Sequence, residues 1–513
     1  MVGRPLPAAA LLSMTEFLSL LRFGGTLLLV LLVFNFIILV HEWGHFLAAR
    51  WRGLKIEKFQ IWMGEPIWKR TWNGVQYGLG WLPLGGFVAL PQMAPMEAIE
   101  GRADPLGEVL PPIKPFDKIV VAFAGPLFSA ALALVFALLV SFFGKPQHPS
   151  DRTTTIGYKV PDMAAARSDL QPGDRILQID GRKVSSFMGI HGSVAWAVAS
   201  SQQNPIEFLV QRPGEAAERL VKVEASMSSD PEYVAWQAKA WWQKAVGRPP
   251  LRRVGIGPQL NWQVDKVVAG SPAEAAGLQV GDVIATMNGQ KLYASANALE
   301  MQAERSEGQP IALTYVRGGV ETQTTLIPQK PIQPKDLKAT TGLGYKLSDA
   351  DSVVMDHPNP FQLVYSAGAN TVSTLVALFS PKSEIKASHM NGPVGILHQY
   401  YNIIQSEHAL RLVLYFSVIL NISLALFNLL PLPVLDGGHI TLGLLEMIRG
   451  KAANLKLLEH LQLACVMMLL GFVVFVSLKD VGGLASGESG GKPEELKFGP
   501  PAAAVPALGP IKP

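Results

Sequence analysis

The stretch FNFIILVHEWGHFLAARW (residues 34–51) decides how the rest of this 513-residue sequence is interpreted. It places His41, Glu42 and His45 at the end of a run apolar enough to lie in a lipid bilayer. At positions i and i+4 the two imidazoles share one helix face and can chelate one zinc ion, with Glu42 beside the metal as a proton acceptor. Ionisable groups are costly inside a membrane, so such a cluster indicates a functional site. The alternative is an interfacial histidine pair that reaches toward lipid headgroups.

The composition points to a membrane protein that also carries soluble mass. Mean hydropathy is +0.24 and only 16% of residues are charged, whereas soluble domains average roughly 25%. The net charge of +4 is small for this length and basic residues do not gather into a patch, so no nucleic-acid partner is expected. Cys465 is the single cysteine, so a metal site must be built from histidine and carboxylate side chains.

Four charge-free stretches are long and apolar enough to cross a bilayer as helices. They cover residues 23–40, 119–144, 412–435 and 461–478. The predicted fold class is therefore a polytopic α-helical membrane protein with four transmembrane helices. Residues 1–22 are predicted to be an N-terminal tail in which Met14 is an alternative start. The first span lacks a small-residue cleavage site, which argues against a secretory signal peptide.

The distribution of basic residues predicts how these spans are oriented. Six of them follow the first span closely: Arg50, Arg52, Lys55, Lys58, Lys69 and Arg70. The HEWGH end of the first span is therefore expected on the cytoplasmic side, which places residues 145–410 on the outer side. The Pro/Ala-rich C-terminal tail, residues 481–513, is predicted to be disordered.

A segment between the first two spans, GVQYGLGWLPLGGFVALPQM (residues 74–93), is rich in glycine, aromatic and β-branched residues. This composition makes a poor helix and favours hairpin strands. Non-helical backbone is tolerated at membrane depth where it lines a protein cavity, so we expect a membrane-re-entrant β-hairpin. Around Gly85 and Gly86 it could offer a strand edge to an extended peptide. The alternative is an ordinary surface hairpin.

An internal repeat lies between the second and third spans. LQPGDRILQIDGRKV (170–184) matches LQVGDVIATMNGQKL (278–292) at a constant offset of 108, and VVAGSPAEAAG (267–277) precedes the second copy. Both copies resemble PDZ domains of bacterial membrane and periplasmic proteases, the second copy more closely. The resemblance implies two inserted PDZ-like α+β domains, at residues 150–226 and 253–330.

The PDZ-like copies predict peptide grooves, because PDZ domains bind extended peptides by strand addition at a sheet edge. The predicted lips are residues 154–160 and residues 253–260, the latter with Gly255, Ile256 and Gly257. Alternatively, closed grooves would make both domains simple spacers.

The remaining segments connect these domains to a membrane core formed by residues 23–145 and 409–480. Residues 227–252 are predicted to be an amphipathic linker helix that either dips into a membrane interface or packs on a PDZ-like domain. Residues 331–408 are predicted to form an amphipathic segment on the outer face, with an apolar helix near residues 359–382.

A catalytic zinc site needs a third protein ligand and an open position for water. FNLLPLPVLDGGH (427–439) ends the third span on the same side as HEWGH, and its Asp436 is the candidate ligand, with His439 as a competitor. Prolines bend or break a helix and free backbone groups. Three residues here are candidates for holding an extended substrate peptide: Asn428, Pro431 and Pro433. The alternative is a helix-ending loop with a capping aspartate.

Taken together, HEWGH, NLLPLPVLDGGH and the PDZ-like domains between them resemble the site-2 protease family. LPLGGFVAL (82–90), FAGPLFS (123–129) and MNGPVGI (390–396) add to this resemblance. It implies a Zn²⁺-dependent enzyme of the bacterial inner membrane that cleaves transmembrane protein substrates, usually anti-sigma factors already trimmed on their outer side. It also implies that the PDZ domains filter substrates by size.

Two places depart from the family pattern. The family usually has asparagine where Ser129 stands, and Gly-Phe-Gly where residues 62–64 (Trp62, Met63 and Gly64) stand. Both concern substrate handling, so substrate preference is left open. The rival interpretations are a membrane-anchored PDZ scaffold with an inactive or structural zinc site, and a zinc transporter. Glu42 argues against the first rival, and the lack of acidic residues in the other spans argues against the second.

Overall fold

The computed structural model describes residues 14–93, 113–190, 192–260, 262–291, 295–306, 308–333, 338–347, 353–381, 383–451, 455–485 and 496–499. The chain forms two compact units. The membrane unit comprises Met1–Lys145, Asp356–Val372 and Asn391–Ser477, and the sheet unit comprises Pro146–Met355, Ser373–Met390 and Leu478–Pro513.

The N-terminal part of the chain forms two long helices with a pair of long strands between them. Its elements are α1 (Met14–Trp51), β1 (Lys58–Trp72), β2 (Val75–Ala89), α2 (Pro115–Phe143) and the short β3 (Lys145–Gln147). α1 begins inside the predicted N-terminal tail, because no proline separates Met14 from the apolar run. α2 begins at a proline, which is tolerated in a first turn since the missing N–H would have no helical partner there.

The first sheet domain follows. Its elements are β4 (Ile156–Lys159), β5 (Arg175–Ile179), β6 (Arg182–Lys183), α3 (Val194–Ala199), β7 (Ile206–Gln211), β8 (Glu218–Val223), α4 (Pro231–Ala238), α5 (Trp241–Val246) and β9 (Ile256–Pro258). Four strands form a sheet of order β6-β5-β7-β8, and β4 pairs with β9. The linker predicted as one helix is two short helices, because Lys239 and Ala240 are extended. The side chain of Gln243 then caps α5 by accepting from the N–H of Ala240 at 3.0 Å.

The second sheet domain repeats this arrangement. Its elements are β10 (Trp262–Val267), α6 (Pro272–Ala275), β11 (Val283–Met287), β12 (Gln290–Lys291), α7 (Ser295–Arg305), β13 (Ile311–Arg317), β14 (Val320–Leu326) and β15 (Leu343–Leu347). The strand order is β14-β13-β11-β10-β15, and β12 pairs with β11. This order leaves β15 at one end of the sheet.

The C-terminal part returns to helical structure after β16 (Val354–Asp356). Its helices are α8 (Pro360–Phe379), α9 (Pro393–Ile404), α10 (Ala409–Asn428), α11 (Asp436–Arg449) and α12 (Leu455–Ala485). Within the part of the chain that the structure describes, four helices are long and apolar enough to cross a membrane: Leu21–Trp51, Pro115–Phe143, Ala409–Asn428 and Leu457–Gly483. The prediction of four helices long and apolar enough to span a membrane is confirmed. The third ends at Asn428 instead of residue 435, because Pro431 and Pro433 cannot continue a helix.

α2 is the centre of the membrane unit and contacts α1, α10 and α11. Gly44 permits the close approach of α1, since a methyl group there would lie 2.5 Å from the carbonyl oxygen of Ala124. The first half of α8 also packs here, with Leu363 and Ala367 buried against α2 and α10. The segment predicted for the outer face thus contributes to helix packing, and its position relative to a membrane stays a prediction.

β1 and β2 form more than a single hairpin. Residues 58–61 pair with residues 86–89 on one side and with residues 76–79 on the other, while residues 66–72 pair with residues 75–80. The region where the family pattern is lost, at residues 62–64, is a bulge between these pairings. There the side-chain amide of buried Gln60 donates to the carbonyl oxygens of Trp62 at 3.1 Å and Gly64 at 2.7 Å. The re-entry of this sheet into a membrane stays a prediction.

The two sheet domains share equivalent backbone hydrogen bonds, which corrects the predicted domain boundary. The N–H of Val160 donates to the Gly255 carbonyl at 2.7 Å, and the N–H of Val268 donates to the Gly342 carbonyl at 3.0 Å. β9 and β15 are therefore equivalent strands. Residues 253–258, predicted to begin the second domain, lie in the first, where Val254 is buried in the core. The second domain extends past the predicted end at residue 330 to include β15. That the two domains are PDZ domains stays a prediction.

The predicted disordered tail, residues 481–513, is also ordered in part. α12 continues through residue 485, because its apolar helical sequence runs on without a proline. Farther on, Lys497 pairs with Gln333 in an isolated antiparallel bridge. The other residues of this tail lie outside the described part of the chain.

Each sheet domain has one buried aspartate that ties a turn to a strand. Asp174 and Asp282 accept hydrogen bonds from the N–H groups of Gln171 and Gln279, both at 2.8 Å. Each also accepts from an arginine: Nε of Arg212 lies 2.8 Å from Asp174, and Nε of Arg317 lies 2.7 Å from Asp282. The hydrogen bonds that Arg317 donates to Asp282 raise the pKa of the arginine. This explains why the "GD" pairs recur at offset 108.

Replacing Asp282 with alanine is predicted to destabilise the second sheet domain locally. The change leaves a turn N–H without its acceptor and Arg317 without its carboxylate partner, which costs about 2–3 kcal/mol. Amide hydrogen exchange in the full chain should show faster exchange in β11 and β13, with the first domain unaffected. The matched control is Arg219→Ala, which removes exposed ion pairs with Glu215 and Asp169 and should leave exchange unchanged. If the amides of β11 and β13 were equally protected in both variants, the stabilising role of Asp282 would be contradicted.

Candidate metal centre and active site

Three side chains from two distant places in the sequence meet inside the membrane unit. His41 Nε2 lies 3.2 Å from Asp436 Oδ2, His45 Nε2 lies 3.4 Å from Asp436 Oδ1, and the two Nε2 atoms lie 3.3 Å apart. Ligands about 2.0–2.1 Å from a zinc ion in tetrahedral geometry lie about 3.3 Å from one another. The contacts among these three side chains therefore have the length that separates neighbouring ligands of a tetrahedral zinc ion, with each imidazole facing its own oxygen of the Asp436 carboxylate.

The second nitrogen of each imidazole is held by α2, which orients both rings. Nδ1 of His45 lies 2.8 Å from the Val121 carbonyl oxygen, an atom that only accepts, so this nitrogen carries the proton. Nδ1 of His41 lies 3.0 Å from the hydroxyl of Ser129, which is fully buried. When Nδ1 of His41 donates to this hydroxyl, both Nε2 lone pairs are free to bind a metal. The departure from the family at Ser129 thus falls on a residue that contacts a candidate ligand.

Gly125 keeps open the space in which an ion can sit. A methyl group at this position of α2 would lie 2.2 Å from His45 Nε2 and 2.8 Å from His41 Nε2. In addition, Asp436 Oδ2 is buried and makes no hydrogen bond among the described residues. A carboxylate oxygen buried in this way calls for a positive partner. The donor set, its spacing and the open space all fit a zinc ion.

The turn before α11 brings Asp436 to the two histidines. Asp436 is the first residue of α11 and not the end of the third span. Gly437 and Gly438 allow this helix to begin close to the preceding turn, since methyl groups there would lie 2.3 Å from the Leu429 oxygen and 2.2 Å from the Leu432 oxygen. On α12, buried Gln462 donates to the Pro433 carbonyl at 3.3 Å. Sequence reasoning missed this last contact, because a lone glutamine in an apolar span carries no motif.

A cavity of about 220 Å³ opens onto His41, His45 and Asp436. Glu42 and Asn428 line it, together with Val88 from β2. A methyl group at Gly86 would lie 3.4 Å from Cγ of Glu42, so the outermost segment of the sheet runs beside this side chain. His439 also lines the cavity but lies outside the described metal-ligating cluster, which consists of His41, His45 and Asp436.

The other predicted substrate-binding residues are placed differently. Pro431 and Pro433 form the turn between α10 and α11 and do not line the cavity. Gly85 has a positive φ of 68° and lies against the side chain of Met63. The groove residues predicted at Gly255, Ile256 and Gly257 belong to β9 and the residue before it, and pair with β4 inside the first sheet domain.

Apolar spans around two histidines, an aspartate and a neighbouring glutamate are the features of a membrane-embedded metallohydrolase. The sequence matches Peptidase family M50 over residues 29–472. Because this match covers most of the chain, the protein belongs to that family, and it is a zinc metalloendopeptidase.

Several curated relatives match along most of their length. Protease RseP of Yersinia pestis is 28% identical over 81% of this chain and 89% of its own. The regulator of sigma-E protease RseP of Escherichia coli K12 is 27% identical, with the same shares covered. A Neisseria meningitidis protein named "Putative zinc metalloprotease NMA0084" is 29% identical over 86% of this chain and 97% of its own.

The substitution Gly125→Ala is predicted to abolish zinc binding. Its methyl group would occupy the space between the two Nε2 atoms, so the ion and the side chain cannot coexist. Zinc per chain, measured by mass spectrometry on purified protein, should fall from one to near zero. Gly471→Ala is the control, because a methyl group on that helical glycine meets nothing within 4 Å. Full zinc content in Gly125→Ala would refute this location of the site.

The substitution Ser129→Ala is predicted to weaken zinc binding without removing a ligand. Loss of a hydrogen-bond partner that orients a metal-binding histidine typically costs 10–100-fold in affinity. Competition with a zinc chelator should show a shift in that range. An unchanged affinity would show that the contact between Ser129 and His41 does not orient the ring.

Proposed function

We propose that this protein is an intramembrane endopeptidase that cleaves single-pass membrane proteins, with anti-sigma factors and signal-peptide remnants as the substrate classes. The observation that carries the proposal is the cluster of three ligand atoms at the end of a spanning helix, within 4.8 Å of one another. The name "regulator of sigma-E protease", borne by relatives over most of this chain, supports the anti-sigma class.

In this proposal His41, His45 and Asp436 hold the zinc, and Glu42 is the general base. Bound zinc supplies Lewis-acid activation of water and of the peptide carbonyl. Glu42 lines the same cavity, where its carboxylate accepts a proton from the attacking water and later passes it to the leaving amine. His439 stays outside the ligand set.

The substrate must be unwound near this site, because a helical amide is shielded by its own hydrogen bonds. Residues 86–89 pair with residues 58–61 on one side and form the outermost segment of the sheet. We propose that their other edge holds the substrate as an added strand, with Gly86 beside Glu42. Asn428, at the end of α10 and lining the cavity, donates to the substrate backbone.

The proposed location is the bacterial inner membrane, with the active site near the cytoplasmic side and the sheet domains on the outer side. The excess of basic residues after the first span supports this orientation. We further propose that the sheet domains are PDZ-like and act on substrates before cleavage, as a size filter or as peptide-binding modules.

The substitution Glu42→Gln tests the enzymatic role. It removes the base but keeps the shape of the side chain, so cleavage should fall by about 10²–10⁴-fold while zinc content is kept. The assay is cleavage of a trimmed single-pass membrane substrate in proteoliposomes, with zinc measured on the same preparation. Glu407→Gln, an exposed carboxylate elsewhere in the membrane unit, is the control and should be fully active. If Glu42→Gln cleaved the substrate about as fast as the unmodified protein, the proposed mechanism would be wrong. If the unmodified protein bound zinc but cleaved nothing, a membrane-anchored PDZ scaffold would be favoured.

A further inference from the structure

We infer that residues Leu496–Gly499, here named the tail strand, are an intramolecular ligand of the second sheet domain. The site they occupy takes an extended peptide segment with an aromatic side chain. The inference rests on the proposal that this domain binds peptides, and it is independent of the zinc site.

Backbone hydrogen bonds hold the tail strand. The N–H of Ile332 donates to the Lys497 carbonyl at 2.7 Å, and the N–H of Lys497 donates to the Gln333 carbonyl at 3.0 Å. The pairing is antiparallel. It uses main-chain groups, which any extended segment offers, so specificity must come from side chains.

Phe498 supplies the side-chain contact. Gly342, directly before β15, has a positive φ of 75°, and a methyl group there would lie 3.0 Å from Cε2 of Phe498. A methyl group at Gly270 would lie 3.8 Å from Cβ of Phe498 and 3.6 Å from the carbonyl oxygen of Gly499, so this glycine faces the backbone of the tail strand. The aromatic ring thus lies against Gly342, while Gly270 lies against the backbone of the tail strand, and neither glycine has a side chain to keep this segment away. The ring of Phe498 therefore lies at the start of β15, the strand at one end of the sheet.

A comparison with the first sheet domain explains why, among the described residues, the space beside this glycine is open only in the second sheet domain. The glycine equivalent to Gly342 is Gly255, with a φ of 80°. A methyl group at Gly255 would lie 2.4 Å from Cβ and 2.9 Å from Sδ of Met163. Met163 corresponds, at the offset of 108, to Ser271 in the second domain. Both residues lie against their glycine, since a methyl group at Gly342 would lie 2.3 Å from Cβ of Ser271. The longer methionine extends over Gly255, whereas the short serine leaves room beside Gly342 that Phe498 fills.

The tail strand also indicates which kind of peptide fits. Fourteen residues follow Gly499 in the sequence, so the site accepts an internal segment and does not require a free C-terminal carboxylate. Tethering gives the tail strand an effective concentration on the order of millimolar. An external segment must therefore displace it, which makes the tail strand an inhibitor of peptide binding by this domain.

A peptide-binding experiment tests the inference. The probe is a fluorescein-labelled peptide of residues 494–502, EELKFGPPA. It is titrated into the detergent-solubilised full chain and into a chain that ends at residue 493, with fluorescence anisotropy as the readout. The shortened chain should bind at least about 10-fold more tightly, because its site is empty of competitor. A probe with alanine in place of Phe498 should bind neither protein measurably.

Two full-length variants keep the test independent of truncation. Lys497→Pro removes the N–H that donates to Gln333 and should bind the probe as tightly as the shortened chain does. Lys497→Ala keeps that N–H and should bind the probe as weakly as the unmodified chain does. Equal binding by the full and shortened chains would overturn the tail strand as occupant but leave peptide binding by the domain intact. No binding by either would overturn the site itself, and neither result bears on cleavage.

Discussion

The requirement that two imidazole nitrogens and one carboxylate lie within 3.4 Å of one another determines how the membrane unit is built. The ligands stand 391 positions apart in sequence, so separate helices must be brought together to within the size of one ion. α2 does this from the centre. It approaches α1 closely at Gly44, and its Gly125 leaves room for an ion. It also carries Val121 and Ser129, which contact the second nitrogen of each imidazole. Lys118 at its start also pairs with Glu446 of α11 at 2.8 Å, which holds the helix that begins with Asp436.

The sheet unit depends on a different constraint, the buried aspartate in each GD turn. Its carboxylate satisfies a turn N–H and an arginine at the same time, so the same framework is built twice. The residue that lies against the glycine before β9 or β15 differs between the copies: it is Met163 in the first and Ser271 in the second. A difference of a few atoms in side-chain length thus separates a closed loop from one that accepts an aromatic ring.

The sequence predicted the parts whose signal is local. The i, i+4 histidines, the four apolar runs and the choice of Asp436 as a candidate third ligand all follow from short patterns. Gly125 was visible within FAGPLFS, but its role is set by atoms of another helix. The boundary between the sheet domains was misplaced because β9 and β15 return to their domains after long insertions, and a short strand read alone belongs equally well to either neighbour. The tail strand escaped prediction because four residues in a Pro/Gly-rich context have no periodicity, and their order comes from pairing with a distant segment.

The most direct test of this account is the zinc coordination of the purified protein, measured by X-ray absorption. We expect nitrogen and oxygen ligands at about 2.0–2.1 Å, two of them imidazoles, and no sulfur. Asp436→Ala should lose most of its zinc or exchange one oxygen ligand for solvent. A full complement of zinc with an unchanged spectrum in Asp436→Ala would contradict the claim that these three residues form the metal site.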